Sequence, residues 1–199
     1  MPKVGTEPIR REQILDATLE TIAQRGLEAT RMRQIAANAG LSQPSLHYYF
    51  NTKDQLIVQL LERLLTEFLR GRNELLRAAE GSMPKLRVLL DQQKRIITED
   101  KDRLEVYYDF WVQATKRPLV RKKIAEMYEH WRRDIEQIIG EGVKQGTFRA
   151  DRASQAPFML VSLFQGAALQ SIIDRPRFDL DAYFAQVEDL IVNYLGTGT

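Results

Sequence analysis

The sequence predicts an all-α fold, with a three-helix N-terminal domain carrying a helix-turn-helix and a larger helical domain after it. Three observations carry this expectation. Apolar residues recur every three or four positions along nearly the whole chain, with no strand alternation and no internal repeat. Glycine, proline and capping residues punctuate those runs where helices would start and stop. The stretch TRMRQIAANAGLSQPSLHYYFNTK, Thr30 to Lys53, divides into two short helical segments at Gly40.

Taken in order, residues 1–8 read as an arm, with Lys3 in it and Arg10 and Arg11 near its end. A helix is expected over about 7–25, where Leu15, Leu19 and Ile22, flanked by Ile14 and Thr18, form a stripe at the helical period, and Gly26 ends it. Met32 to Ala39 follows, with Ile35, Ala36 and Ala39 on one narrow face that lets a second helix approach closely. Gly40 supplies the positive φ that stops it. Leu41 plugs the turn, and Ser42 caps the helix beginning at Gln43, with Pro44 in a first turn where no intrahelical donor is lost. Thr52 and Gln55 form a capping box that opens a long helix to about Ala79, with Leu56, Leu60, Leu64 and Phe68 recurring every four residues. Only Asn51 and Thr52 separate it from the preceding helix, so it can act as a lever.

Gly81 and Ser82 mark the next break. Helices are expected from Met83 to Thr98, with Pro84 in the first turn, and from Asp102 to Ala114, with Asp102 and Glu105 as a cap pair. From Pro118 to about Lys144 the apolar positions Val120, Ile124, Met127, Trp131, Ile135 and Ile138 describe one clean amphipathic helix, closed by Gly146. Asp151 opens a helix to about Ile173 that Pro157 should bend. A last helix covers Asp179 to Leu195, and Gly196 to Thr199 is read as a tail.

The helix beginning at Gln43 has an unusual composition for a core element. Gln43, Ser45, His47, Tyr48 and Tyr49 carry hydrogen-bonding tips, and Leu46 and Phe50 suffice to seat it. Between Ala29 and Lys53 the charges are Arg31, Arg33 and Lys53, with no acid, which suits a surface facing phosphates. A short polar helix behind a tight turn fits insertion into a DNA major groove.

At these residues AxxAGLSQPSLHYYFNTKDQL resembles the operator-binding signature of the TetR family of bacterial repressors, over Ile14 to Leu60. Two departures stand out: His47 occupies a usual tyrosine position, and Thr30 sits one place early, with Arg31 in its slot. The leader MPKVGTEPIRREQILDATL resembles that of the choline-responsive, betaine-pathway branch of the same family. The resemblance implies a repressor that binds a palindromic double-stranded DNA operator as a homodimer and is released by a small-molecule effector. Gln43, Ser45, His47 and Tyr48 would meet base edges and backbone, while Thr30, Arg33, Tyr49 and Lys53 would mainly grip phosphate, with Arg31 and Pro44 also counted among the DNA-binding residues. The corresponding domain boundary falls at 1–53 and 54–199.

Composition sets outer bounds. The chain has 199 residues, 44% hydrophobic and 28% charged, enough for a real core. A net charge of +2 means that nucleic-acid binding must be argued from local charge. Absence of cysteine removes disulfides, thiolate metal sites and cysteine nucleophiles. No apolar run approaches the ~20 residues of a membrane span, and the N-terminus lacks the apolar stretch of a signal peptide, so a cytoplasmic protein without a membrane partner is expected.

The second half could hold a catalytic site or a sensor. Glu105 and Asp109 share a helix face at four-residue spacing but read as a solvated pair beside Arg103. His130 lacks the Glu-x-x-His spacing of di-iron bundles, and there is neither a Gly-rich phosphate loop nor an HExxH sequence. An enzyme, or a ligand-binding module without DNA function, is therefore the alternative reading, and no cofactor or metal is expected. Aromatic density favours a sensor: Tyr107, Tyr108, Phe110, Trp111, Tyr128, Trp131, Phe158 and Phe164 fall within about sixty residues. An effector pocket is expected from Tyr107, Tyr108, Phe110, Trp111, Met127, Trp131, Phe164 and Gln165, for a cationic or aromatic ligand, with a quaternary ammonium held by cation–π attraction as one choice. Phe158, Val161, Phe164, Ala168 and Ile172, with Phe184, Val187, Ile191 and Tyr194, are expected to form the dimer interface of the two C-terminal helices.

Overall fold

The computed structural model describes residues 7–99 and 101–197, apart from the side chains of residues 101 and 102. The expected arm before Glu7, the end of the tail and the cap role of Asp102 lie outside the described residues. The described residues form nine α-helices: α1 (Glu7–Arg25), α2 (Met32–Asn38), α3 (Gln43–Tyr49), α4 (Lys53–Ala78), α5 (Ser82–Glu99), α6 (Lys101–Ala114), α7 (Pro118–Lys144), α8 (Ala156–Ile173) and α9 (Leu180–Leu195). They divide into two compact units, one of the described residues up to Glu67 with Glu105–Ile124, the other of Phe68–Leu104 with Ala125 onward. A boundary between 53 and 54 does not coincide with this division. The first half of α4 and most of α6 join α1–α3, because their apolar faces share one core with them.

In the first unit, α1 buries Ile14, Leu15, Ala17 and Ile22, and the hydroxyls of its buried Thr18 and Thr21 donate to the carbonyls of Ile14 and Ala17, each at 2.6 Å. Gly26 and Gly40 take φ of 76° and 65°, the left-handed conformation that ends α1 and turns the chain between α2 and α3. Ile35, Leu46, Phe50, Leu56, Leu60 and Phe110 are essentially without solvent exposure. Burial of each such side chain contributes about 1.5–3 kcal/mol. Thr52 Oγ1 accepts from the Gln55 N–H at 3.1 Å, while Gln55 Oε1 accepts from Asn51 N at 3.0 Å, so the reciprocal arm of the cap reaches one residue further back than expected. The junction of α3 and α4 is thereby stiffened. Arg63 of α4 holds α1 through Asp16 at 2.8 Å and Glu12 at 3.1 Å.

In the second unit α5, α8 and α9 pack on one another, and Phe164 stacks with Phe184 at 6.4 Å between ring centroids. Pro157 does not bend a helix. Residues 150–152 form a separate 3-10 turn, and α8 begins at Ala156, so the proline sits in a first turn where its missing N–H costs nothing. The tail is partly held: Phe148 and Gly196 form an isolated antiparallel bridge, with Arg149 N donating to Leu195 O at 2.8 Å. A Cβ at Gly142 would overlap the Phe148 ring, so that position admits only glycine without repacking.

Most residues expected at the dimer interface are buried within the chain. Val161, Phe164, Ala168, Phe184, Val187 and Ile191 are each 4–6% exposed because α5, α8 and α9 cover them. The apolar side chains left outward are Phe158, Met159, Leu169 and Ile173 on α8 and Leu190 and Val192 on α9. α8 carries no charged residue and, among the described helices, is the one apolar and long enough to cross a membrane. Its buried side packs as a core helix does, and its other side is the open apolar face just described.

Candidate nucleic-acid interface and effector cavity

The turn chemistry presents α3 outward. Ser42 Oγ accepts from Ser45 N at 3.2 Å, and buried Leu46 and Phe50 fix the helix from beneath. Gln43, Pro44, Ser45 and Tyr48 are left exposed, Tyr48 by 65% of its surface and in edge contact with Tyr49. Arg31 and Arg33 are also exposed, and the Arg31 N–H donates to Gln34 Oε1 at 2.8 Å, so Arg31 rather than Thr30 is the residue at which α2 starts.

Four of the expected DNA contacts have work inside the unit. Thr30 is 1% exposed, and its hydroxyl donates to Gly26 O at 2.8 Å, closing the turn after α1. Tyr49 is 8% exposed and forms part of the core. The Lys53 ammonium donates to Leu27 O at 2.9 Å and Glu28 O at 3.4 Å, and burial, helped by Arg117, lowers its pKa below the ordinary lysine value. His47 Nδ1 lies 3.1 Å from Asn51 O. Of these, Lys53 is drawn in by a distant partner, the turn after α1, whereas Thr30 and His47 bond to carbonyls four residues away.

The expected effector residues fall into both units. Tyr107, Tyr108 and Trp111 are half-buried on α6, where Trp111 lies 6.0 Å from Tyr107 and 6.1 Å from Tyr108 between centroids, and the Tyr107 hydroxyl donates to Leu64 O at 3.2 Å. Phe110 has no exposed surface; as the seat of α6 in the first unit's core it is not placed to touch a ligand. In the second unit Trp131 and Phe164 wall a cavity together with Phe68, Arg72, Gln92 and Gln93, while Met127 is core and Gln165 is half-buried on α8. Trp131 contacts Phe68 at 5.3 Å and Tyr128 at 6.2 Å between centroids.

Arg72 was not anticipated, although its signal was available: it continues the four-residue repeat of Leu60, Leu64 and Phe68, which places a cation on the buried face of α4. It is 3% exposed, forms an ion pair with Asp134, and stands over the Phe68 ring at 5.3 Å. Burial lowers its pKa, opposed by Asp134. Asp134, with Lys85 and Glu141, lines a second cleft of about 370 Å³.

A polar helix exposed on a helix-turn-helix has the form of a DNA-binding regulator's reading module, and α4, α5, α7 and α8 wall a small cavity in the second unit. Residues 14–60 match the family of bacterial regulatory proteins of the tetR type, and residues 84–196 match the BetI-type transcriptional repressor C-terminal family. The chain belongs to the TetR family of transcriptional regulators, with a BetI-type C-terminal domain. Similar proteins include the HTH-type transcriptional regulator BetI of Brucella suis biovar 1 (strain 1330), 28% identical over 191 residues that span 96% of this chain and 94% of that one. BetI of Rhizobium meliloti (strain 1021) is 25% identical over 195 residues, 98% of this chain and 94% of its own. Among solved structures, a transcriptional regulator from Saccharomonospora viridis in complex with choline is 25% identical with a TM-score of 0.85, covering 94% of this chain and 97% of that one. A TetR transcription regulator from Haloarcula marismortui ATCC 43049 shares the fold at a TM-score of 0.87 and 21% identity, covering 94% of this chain and 99% of that one. The family and these relatives are transcriptional regulators and not enzymes.

Proposed function

We propose that this protein is a ligand-released repressor that binds a palindromic operator as a homodimer in the cytoplasm. The observation that carries the reading is the outward face of α3, where Gln43, Ser45 and Tyr48 are exposed behind a capped turn and the stretch between Ala29 and Lys53 holds no acid. Gln43, Pro44, Ser45, His47 and Tyr48 are assigned to bases and adjoining backbone, and Arg31 and Arg33 to phosphates. Thr30, Tyr49 and Lys53 support the reader from within. A single short helix spans only a few base pairs, so two copies are needed to reach successive half-sites about 34–36 Å apart. The outward apolar residues of α8 and α9 are the surface we assign to that pairing.

The effector site is assigned to the cavity at Phe68, Trp131 and Phe164. α4 supplies the link, since it contains both Lys53 beside the reader and Phe68 and Arg72 in the cavity wall. A ligand that shifts α4 changes the spacing of the two readers, and coupling of about 1–3 kcal/mol would weaken operator binding by roughly 5–150-fold. The choline held by the Saccharomonospora viridis regulator supports a small organic effector.

The test is fluorescence anisotropy with DNA from upstream of the protein's own gene, titrated at several salt concentrations. Affinity should fall steeply with salt, and Gln43→Ala should cost about 1–3 kcal/mol at one base position without altering thermal stability. Binding that ignores salt, or no preference for that DNA over a scrambled duplex, would sink the reading.

A further inference from the structure

The hydrogen-bonding role of His47, on the outward side of α3, is decided before DNA arrives. Pro44, His47 and Tyr48 stand three and four residues apart, opposite buried Leu46 and Phe50. The His47 ring is half-buried, and its Nδ1 lies 3.1 Å from the carbonyl oxygen of Asn51, just past the end of the helix. A carbonyl oxygen only accepts, so Nδ1 carries the proton of the neutral ring, and Nε2 is left with a lone pair and no hydrogen. Nε2 lies on the far side of the ring from Asn51. Among the described residues it has no hydrogen-bond partner, yet it is not one of the buried atoms that lack one, so it reaches solvent. Gln43, Ser45 and Tyr48 can each donate or accept, whereas the neutral His47 tip only accepts.

We infer that His47 is a specificity-determining residue that accepts, through Nε2, a hydrogen bond from the exocyclic amino group of adenine or cytosine at one position of each half-site. The inference rests on the repressor reading above and deepens it. In the major groove adenine N6 and cytosine N4 donate, while guanine presents O6 and N7 and thymine presents O4, all of them acceptors. A lone pair set against guanine or thymine leaves two acceptors facing each other with neither bonded, and a phosphate oxygen meets it no better. Every base pair carries one amino base, so the contact reads which strand carries it. The code at this position is amino against keto: adenine or cytosine against guanine or thymine. The bond to Asn51 O also fixes the orientation of the ring, so little side-chain freedom is lost on contact.

The experiment is selection by the full-length protein from a pool of randomised duplexes at about pH 8, where an ordinary imidazole is neutral. Anisotropy on single base-pair changes in the selected site follows. At one position per half-site adenine or cytosine should bind about tenfold more tightly than guanine or thymine. His47→Phe keeps a ring and removes both nitrogens, so it should level that position while the preferences at other positions persist. His47→Lys offers donors only, so it should turn the same position toward guanine or thymine, and it carries the test if the phenylalanine variant does not fold. Long-range proton–nitrogen NMR spectra of the DNA-free protein should show Nδ1 protonated and Nε2 bare. Two results overturn the inference outright: a neutral ring protonated on Nε2, or an amino preference that survives either substitution. Sequence-specific binding with no amino-against-keto position that depends on His47 would overturn the inference and leave the repressor reading standing. Failure to enrich any sequence would overturn both.

Discussion

The carboxylate of Asp109 on α6 accepts a hydrogen bond from the backbone N–H of Leu27 at 2.9 Å, joining residues 82 positions apart at the turn between α1 and α2. Sequence spacing pairs Asp109 with Glu105 as solvated surface, whereas in the fold Asp109 bonds the Leu27 backbone. The Asp109 oxygen also sits where a Cβ on Gly26 would meet it at 3.5 Å, so the turn and the carboxylate are closely fitted. Asp109→Ala leaves Leu27 N without an acceptor and should lower stability by about 1–3 kcal/mol in urea unfolding, with operator affinity falling as the turn loosens. Asp109→Asn keeps a carbonyl acceptor and should cost less. Equal losses in the two variants would mean that the hydrogen bond is not the cause.

Lys53 offers a pH test. Its folded pKa is lowered below the ordinary 10.5, first by burial and then by Arg117. In the window between the lowered value and 10.5 the unfolded chain binds more protons, so stability rises with pH there. Lys53→Met should remove that rise, and urea midpoints measured across the alkaline range should show it. Because the ammonium is engaged with Leu27 O and Glu28 O, the same variant should leave the slope of operator affinity against salt unchanged. A slope reduced by about one would restore Lys53 to the phosphate contacts.

If the outward apolar face of α8 and α9 is the pairing surface proposed above, pairing can be separated from folding. Phe158→Glu with Ile173→Glu changes exposed residues, 51% and 73% accessible, and should yield folded monomers in sedimentation with operator binding strongly reduced. Phe184→Ala acts on a buried residue stacked on Phe164 and should instead cost about 3–5 kcal/mol of stability. A double variant that still sediments as a dimer would place the pairing surface elsewhere.

Gly142→Ala should destabilise the second unit by about 1–3 kcal/mol, because the added methyl overlaps the Phe148 ring that anchors the bridge to Gly196. Combining it with Phe148→Leu should recover part of the loss. No recovery in differential scanning calorimetry would point to a backbone effect at residue 142.

The sequence alone determined the helices and the helix-turn-helix, because their causes are local. The stripe of α1, the left-handed Gly40, the Ser42 cap with Pro44 in the first turn, and the capping box at Thr52 act within a few residues of themselves. Tertiary structure decided what depended on distant partners. α8 is apolar nearly all round, so its composition could not say which side would be covered; packing by α5 and α9 selected Phe164 and Ala168 for the inside and left Phe158 and Ile173 outside. Lys53 reads as a surface residue in sequence, and the start of α4 brings its ammonium to the carbonyl of Leu27, 26 positions earlier. Arg72 could be seen on the buried stripe of α4. Its partner Asp134 lies 62 residues away on α7, so only the folded chain reveals an ion pair where periodicity shows a single misplaced cation.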